Sequence, residues 1–266
     1  AFDVMVSSEW GSPNAFRSGF LQQDFTSGQY GSSIHFWQWS TGNLLQTIDL
    51  RSVAADTSMP LEVRFLHNPK AAVGYVGCAL SGNVIRFYRH SDSKTWFAEE
   101  VIRITSVKVI SGWPMPELPP LITDILISLD DRFLYLSAWA FGEVRQYYLG
   151  EDAASRSALP SLTAVVRVGG LLLDPTIKVA GDSKENLNPE AVSEIRGVPL
   201  RAGAQMLQLS LDGRRLYATN SLHSAWDKQF QPAVVEHGSQ LVKIDVNTEA
   251  SGGMSVDRGF VVDFGK

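Results

Sequence analysis

The chain has 266 residues, of which 44% are hydrophobic and 10% aromatic, with a formal net charge of −5. That is enough apolar material for a sizeable core, and the acidic balance without a Lys/Arg cluster argues against nucleic acid or an anionic membrane surface as partner. The apolar stretches fall far short of the ~20 residues of a membrane-spanning helix, and a lone cysteine, Cys78, cannot close an internal disulfide, which points to a reducing, cytoplasmic setting, with nuclear or peripheral-membrane residence left open.

In chain order the apolar runs read as strands. Asp3–Trp10, His35–Trp39 and Asn43–Leu50 fill the second, third and fourth places of a blade whose innermost strand is missing. Leu61–His67, Val73–Leu80, Asn83–Arg89 and Trp96–Ile104, parted by short Pro-, Gly- and Ser-bearing turns, form a complete antiparallel unit. The same order returns in Ile122–Leu129, Arg132–Ala138, Glu143–Leu149 and Leu162–Val168, and again in Gln205–Leu211, Arg215–Ser221, Ser239–Val246 and Gly259–Phe264. Ser128–Tyr135 and Ser210–Tyr217 are two copies of one phrase, read as a two-residue hairpin at Asp130-Asp131 and Asp212-Gly213. Each is followed by Ser-Ala-Trp, at 137–139 and 224–226, with Ser8-Glu9-Trp10 as a third echo.

A repeat that cannot bury its own apolar face must stack on its neighbours. The fold expected is therefore all-β, a partial β-propeller of three to four blades at approximately 1–50, 61–104, 122–168 and 205–266, with a loop insertion at 174–203. Too few blades to close a ring, and no initiating Met, mark the chain as a portion of a longer protein that self-associates through its open edges. The alternative is a complete four-bladed propeller. Gly11–Tyr30, Asp174–Gly203 and Asp227–Gly238 exceed simple turns. The second reads as a disordered excursion, and the third as a segment pinned over a propeller face by Trp226 and Phe230. The proline-rich 107–121 stretch reads as an extended crossing between blades.

Arg64-Phe65-Leu66-His67-Asn68-Pro69 followed by Gly74–Leu80, Leu121–Leu126 running into Ser128–Tyr135, Gln205–Gly213, Ser224–Phe230 and Val262–Lys266 resemble the selenium-binding protein family, whose members include methanethiol oxidases. The resemblance extends from Asp3 to the last residue. It implies a seven-bladed propeller of which this chain is most of the C-terminal half. It further implies selenium bound through a cysteine outside this chain, and copper-dependent oxidation of methanethiol to formaldehyde, hydrogen sulfide and hydrogen peroxide. With that cysteine and the His-rich segments of the other half absent, this portion is expected to be inactive alone.

The first strand of each blade lines a propeller's channel, where polar residues converge. Aligning His67 with Ser128 and Ser210 brings Glu62, Thr123 and Gln205 to one equivalent position, with Asp124 beside them. His67, inside a family motif at the end of an innermost strand, is the candidate metal ligand, since neutral imidazole suits copper; turn chemistry is the alternative reading. Glu62 and Asp124 are candidate cofactor-binding residues that orient a metal-bound His, or else carboxylates paired with Arg64. Cys78 lies mid-strand as a small hydrophobe, and His223 reads as an exposed loop residue. No catalytic residue is assigned. A binding propeller for selenium, thiols or a protein partner, without turnover, stands as the second function.

Overall fold

The computed structural model describes residues 2–90, 92–181 and 191–265. The centre of the 174–203 insertion, residues 182–190, lies outside the described residues, and so does that part of its reading as disordered.

Four antiparallel sheets follow one another as meanders. The first is three-stranded, β1 (Val4–Ser8), β2 (Ser33–Gln38) and β3 (Leu44–Asp49). The second runs β4 (Pro60–Phe65), β5 (Val73–Cys78), β6 (Asn83–Arg89) and β7 (Trp96–Arg103). A hairpin of β8 (Val107–Ser111) and β9 (Glu117–Leu118) precedes the third sheet, β10 (Ile122–Ile127), β11 (Phe133–Ala138), β12 (Glu143–Tyr148) and β13 (Ser161–Arg167). After β14 (Lys178–Val179), which pairs with β8, and the small hairpin of β15 (Glu194–Ile195) and β16 (Val198–Pro199), the fourth sheet is β17 (Leu207–Leu209), β18 (Arg215–Thr219), β19 (Gln240–Val246) and β20 (Met254–Asp263).

β4 lies against β10 and β10 against β17, so the first strands of successive sheets gather at an axis, the arrangement of propeller blades. The first sheet enters this pattern at its second place. Ser8 of β1 donates through Oγ to the Leu61 carbonyl at 2.8 Å, as Ser137 of the second-place strand β11 donates to the Gln205 carbonyl at 2.5 Å.

Second-place strands carry nearly unbroken apolar runs because both of their faces are covered. Val73–Cys78 and Phe133–Ala138 are buried throughout. Three apolar layers result, around Phe36, Phe87 and Trp96, around Ile125, Leu136 and Trp139, and around Tyr135, Leu216 and Ile244. Gly77 marks how closely the blades approach: a β-carbon there would meet Ile122 Cγ2 at 2.9 Å and Ile125 Cγ2 at 3.1 Å.

The duplicated phrase builds one turn twice, although not a two-residue one. Four residues separate the paired Ser128 and Phe133, whose backbones bond at 2.8 Å. Ser128 Oγ donates to Asp130 Oδ1 at 2.5 Å and accepts from Phe133 N at 2.9 Å. Ser210 repeats both bonds with Asp212 at 2.6 Å and Arg215 N at 3.0 Å. The left-handed position falls to Asp131 (φ 61°) in one copy and Gly213 (φ 71°) in the other, residue types suited to it. The 107–121 stretch also departs from expectation. It folds back as β8 and β9 with Val107 opposite Leu118 and Lys108 opposite Glu117, because its prolines sit in and beyond the loop, outside the paired positions.

Candidate functional site

Two of the long connections occupy the same place in their blades, between second and third strands. In the third sheet that connection is the short turn 139–142. In the first it holds α1 (Pro13–Arg17) and α2 (Gln22–Thr26), and in the fourth α3 (Ser224–Phe230) and α4 (Pro232–His237). None of these helices exceeds seven residues, too short to persist without tertiary support. They support one another. Trp226 Nε1 donates to the Phe16 carbonyl at 2.9 Å, and the Gln229 amide brackets Phe20, accepting from its N–H and donating to its carbonyl at 2.9 Å each. Buried Asp227 fixes the start of α3, accepting from Ser221 Oγ at 2.6 Å and Leu222 N at 3.0 Å. Phe230 packs on Trp113 at 5.0 Å, so the segment is held down by Trp226 and Phe230.

Between this paired cap and the starts of the innermost strands lies a cavity of about 240 Å³. Glu62, Thr123 and Gln205 line it together, as their equivalent positions require, beside Trp10, Trp226 and His223. His223 is thus part of the site and not an exposed loop residue; burial of its Nδ1 follows from the docking of α3, which the sequence reading did not anticipate. Met59 and Leu121, at the entries to β4 and β10, also line the cavity and carry φ of 57° and 53°, values strained for branched or bulky side chains. Their carbonyls accept from Ala79 N at 2.8 Å and Trp139 N at 2.9 Å, so the same bend is made twice at one level of the channel.

Thr123 Oγ1 and Ser137 Oγ share a hydrogen bond of 3.1 Å, and both reach the Gln205 carbonyl. Glu62 accepts from Arg64 Nη1 at 2.6 Å, and Arg64 Nη2 reaches Asp124 Oδ1 at 3.3 Å. Asp124 is wholly buried and its Oδ2 accepts from Leu207 N at 2.7 Å, tying the third blade to the fourth. Burial pushes its carboxyl up to about 6, the nearby Glu62 charge adds to this, and the Leu207 N–H and Arg64 pull the other way. Both carboxylates named from sequence therefore meet through Arg64.

His67 lies beyond the opposite end of β4, five residues and roughly 16 Å along an extended strand from Glu62. Its Nδ1 is 3.0 Å from Asp131 Oδ1, its side chain is 42% exposed, and Asp131 also accepts from the backbone N–H groups of His67 and Asn68 at 2.7 and 2.8 Å. It borders a second pocket of about 310 Å³ with Asp130, Asp131, Glu151 and Asp152. Among the described residues no group of three or more His, Cys, Asp or Glu side chains is placed to hold a metal ion. Cys78 is buried, and burial pushes its thiol far above the usual range, which leaves it inert. A larger groove of about 420 Å³ between Phe25 and Met115 offers few polar groups and lies away from the axis. No helix among the described residues is long and apolar enough to cross a membrane.

Comparison with known proteins bears on this arrangement. A methanethiol oxidase of Xenopus laevis is 48% identical over 265 residues, 99% of this chain and 54% of that protein. Selenium-binding protein 2 of Arabidopsis thaliana is 49% identical over 264 residues, again 99% of this chain and 52% of that protein. The X-ray structure of a hypothetical selenium-binding protein from Sulfolobus tokodaii superimposes with a TM-score of 0.81 at 35% identity, covering 99% of this chain and 53% of that one. The chain thus spans about half the length of the relatives it matches. Since residues 1–266 also match, end to end, the family described as 56kDa selenium binding protein, the chain belongs to that family.

Proposed function

We propose that the whole protein of which this chain forms part is a methanethiol oxidase, converting methanethiol, oxygen and water to formaldehyde, hydrogen sulfide and hydrogen peroxide, and that this chain alone is inactive. The carrying observation is identity of 46 to 48% with methanethiol oxidases of frogs and rodents across 99% of the chain. The cavity at the axis suits a small thiol: it is dry-walled by Trp10 and Trp226, and its volume far exceeds the ~15 Å³ that a single water requires.

Copper is the cofactor in this reading, and it would supply the redox chemistry. The described residues do not by themselves complete a copper site, so the remaining donors have to come from elsewhere in the protein. His67 is proposed as one donor. Its Nδ1 is held by Asp131, the carboxylate–imidazole pairing that orients metal-bound histidines and leaves Nε2 for the metal. Glu62 and Asp124, joined through Arg64, would set the charge of the channel rather than touch the metal at His67's end. Selenium would be bound through a cysteine outside this chain.

A non-catalytic selenium- or thiol-binding propeller is the second reading, favoured by the 49% identity to a protein named only for selenium binding. Hydrogen sulfide release from methanethiol by the full-length protein, with copper supplied and with copper chelated, separates the two. Copper-dependent release is expected; no release in either condition from a folded protein transfers the assignment to the binding reading. A cytoplasmic location completes the proposal, consistent with an unpaired, buried cysteine.

A further inference from the structure

Within each copy of the duplicated phrase the Ser, Asp and Arg side chains are taken up by the turn. Arg132 Nε donates to Asp130 Oδ2 at 2.9 Å, and Arg215 Nη2 donates to Asp212 Oδ2 at 3.1 Å. Arg132 Nη2 also donates to the Thr248 carbonyl at 2.9 Å, which fixes the turn of the third sheet to the fourth sheet. The residue after the Ser is a leucine both times, and its side chain takes no part in these bonds: Leu129 is 56% exposed and Leu211 90%. The third sheet packs against the second and the fourth, so the exposure of Leu129 does not come from an uncovered flank. Isolated surface leucines are ordinary. These two, however, line one cleft of about 170 Å³ on the face opposite the helical cap, and paired apolar side chains on a braced frame mark a surface that meets another molecule.

Leu129 also borders the pocket beside His67, so it stands between two clefts of different chemistry. Asp130, Asp131, Glu151 and Asp152 line the pocket beside His67, and no lysine or arginine does. Arg132 reaches two of these carboxylates, Asp130 and, at 3.5 Å, Glu151. Carboxylates remain in excess, and even a divalent copper ion on His67 would leave the sum negative. In the cleft between the leucines Asp212 is already answered by Arg215, which leaves apolar contact as what that cleft offers.

We propose that this face docks a partner protein through an extended segment in which a basic residue enters the acidic cleft and an adjoining apolar residue settles between Leu129 and Leu211. The charge of the first cleft selects the cation and excludes acidic segments, while the two leucines supply the anchor. Because Leu129 belongs to both clefts, the basic and apolar residues have to lie close together in the partner. The proposal is independent of the oxidase reading and needs no turnover.

The test is fluorescence anisotropy with the full-length protein and the fluorescein-labelled peptide Arg-Arg-Gly-Leu-Leu. Binding is expected, with the charge-reversed Glu-Glu-Gly-Leu-Leu and the apolar-deleted Arg-Arg-Gly-Ser-Ser each weaker by about ten-fold or more. Leu129→Ser combined with Leu211→Ser should weaken the first peptide by about ten-fold, and Glu151→Gln combined with Asp152→Asn should weaken it and flatten its salt dependence. Circular dichroism confirms that each variant is folded. No binding by folded wild type, equal binding of the charge-reversed peptide, or an affinity untouched by both double variants would overturn the proposal. So would a full-length protein whose mass in light scattering falls when the leucines are replaced while its peptide affinity holds, because the face would then join two copies of this protein.

Discussion

At the scale of single residues, Asp124 makes the sharpest demand. Its carboxyl is pushed up to about 6 in the folded state, against 3.8 for an unburied carboxyl, so the folded form holds the proton more tightly than the unfolded form. Its stabilising contribution is therefore complete below pH ~4 and is lost as pH rises to ~6, by up to about 3 kcal/mol. Denaturant unfolding of wild type and Asp124→Asn at pH 4.5 and 7 should show wild type losing ground to the variant at the higher pH. A constant difference would place the titration outside that window. His67→Ala, by contrast, should leave the blades folded and lower the copper content of the full-length protein, read by metal analysis; unchanged copper would remove it as a donor. Glu62, Thr123 and Gln205 were legible in the sequence because blade repeats place equivalent residues at one height. His223 was not, since its burial depends on two insertions docking on each other. No capping signal marks it in the sequence, because His223 itself occupies the N-cap of α3 without a side-chain cap bond.

Among the elements, strands were readable and helices were not. β5 and β11 announce themselves by continuous apolar runs, whereas α1 to α4 are too short to display a helical period and exist through contacts between distant segments. The repeated Ser-x-Trp units show the same division. Trp139 is wholly buried, with Nε1 donating to the Asn220 carbonyl at 3.2 Å, and serves blade packing as its sequence context suggests. Its counterparts Trp10 and Trp226 have been diverted to the cavity wall. Trp139→Ala should accordingly cost about 3–5 kcal/mol in global stability, measured from the denaturant midpoint, and a change near zero would remove it from the core. Trp226→Phe should act locally. It deletes the bond to the Phe16 carbonyl, worth about 1 kcal/mol, and should raise hydrogen exchange in α1 while amides of β11 keep their protection. Uniformly faster exchange would mean that the cap is not a separable unit.

For the whole molecule, the decisive feature is where the stacking of blades stops. A closed propeller covers the apolar faces of its blades and leaves only short, protected edges, whereas a sheet without a neighbour on both sides leaves a strand edge and an apolar face open. Here β1 pairs with β2 alone, so the edge nearest the axis has no strand beside it among the described residues. Trp39 and Leu45 at the first sheet are 71% and 52% exposed, and Leu211 and Phe264 at the fourth are 90% and 56% exposed. The net charge of −5 is modest for 266 residues and opposes association weakly at physiological salt. Apolar contact should therefore prevail, and the weight-average mass of this chain in multi-angle light scattering should rise above 29.2 kDa as concentration increases. Met5→Lys, which places a charge on β1 beside the open edge, should shift that rise to higher concentration without altering the far-ultraviolet spectrum. A mass that stays at the monomer value across the range would show that the edges protect themselves, and would make the four sheets a self-sufficient body instead of an arc that needs further blades.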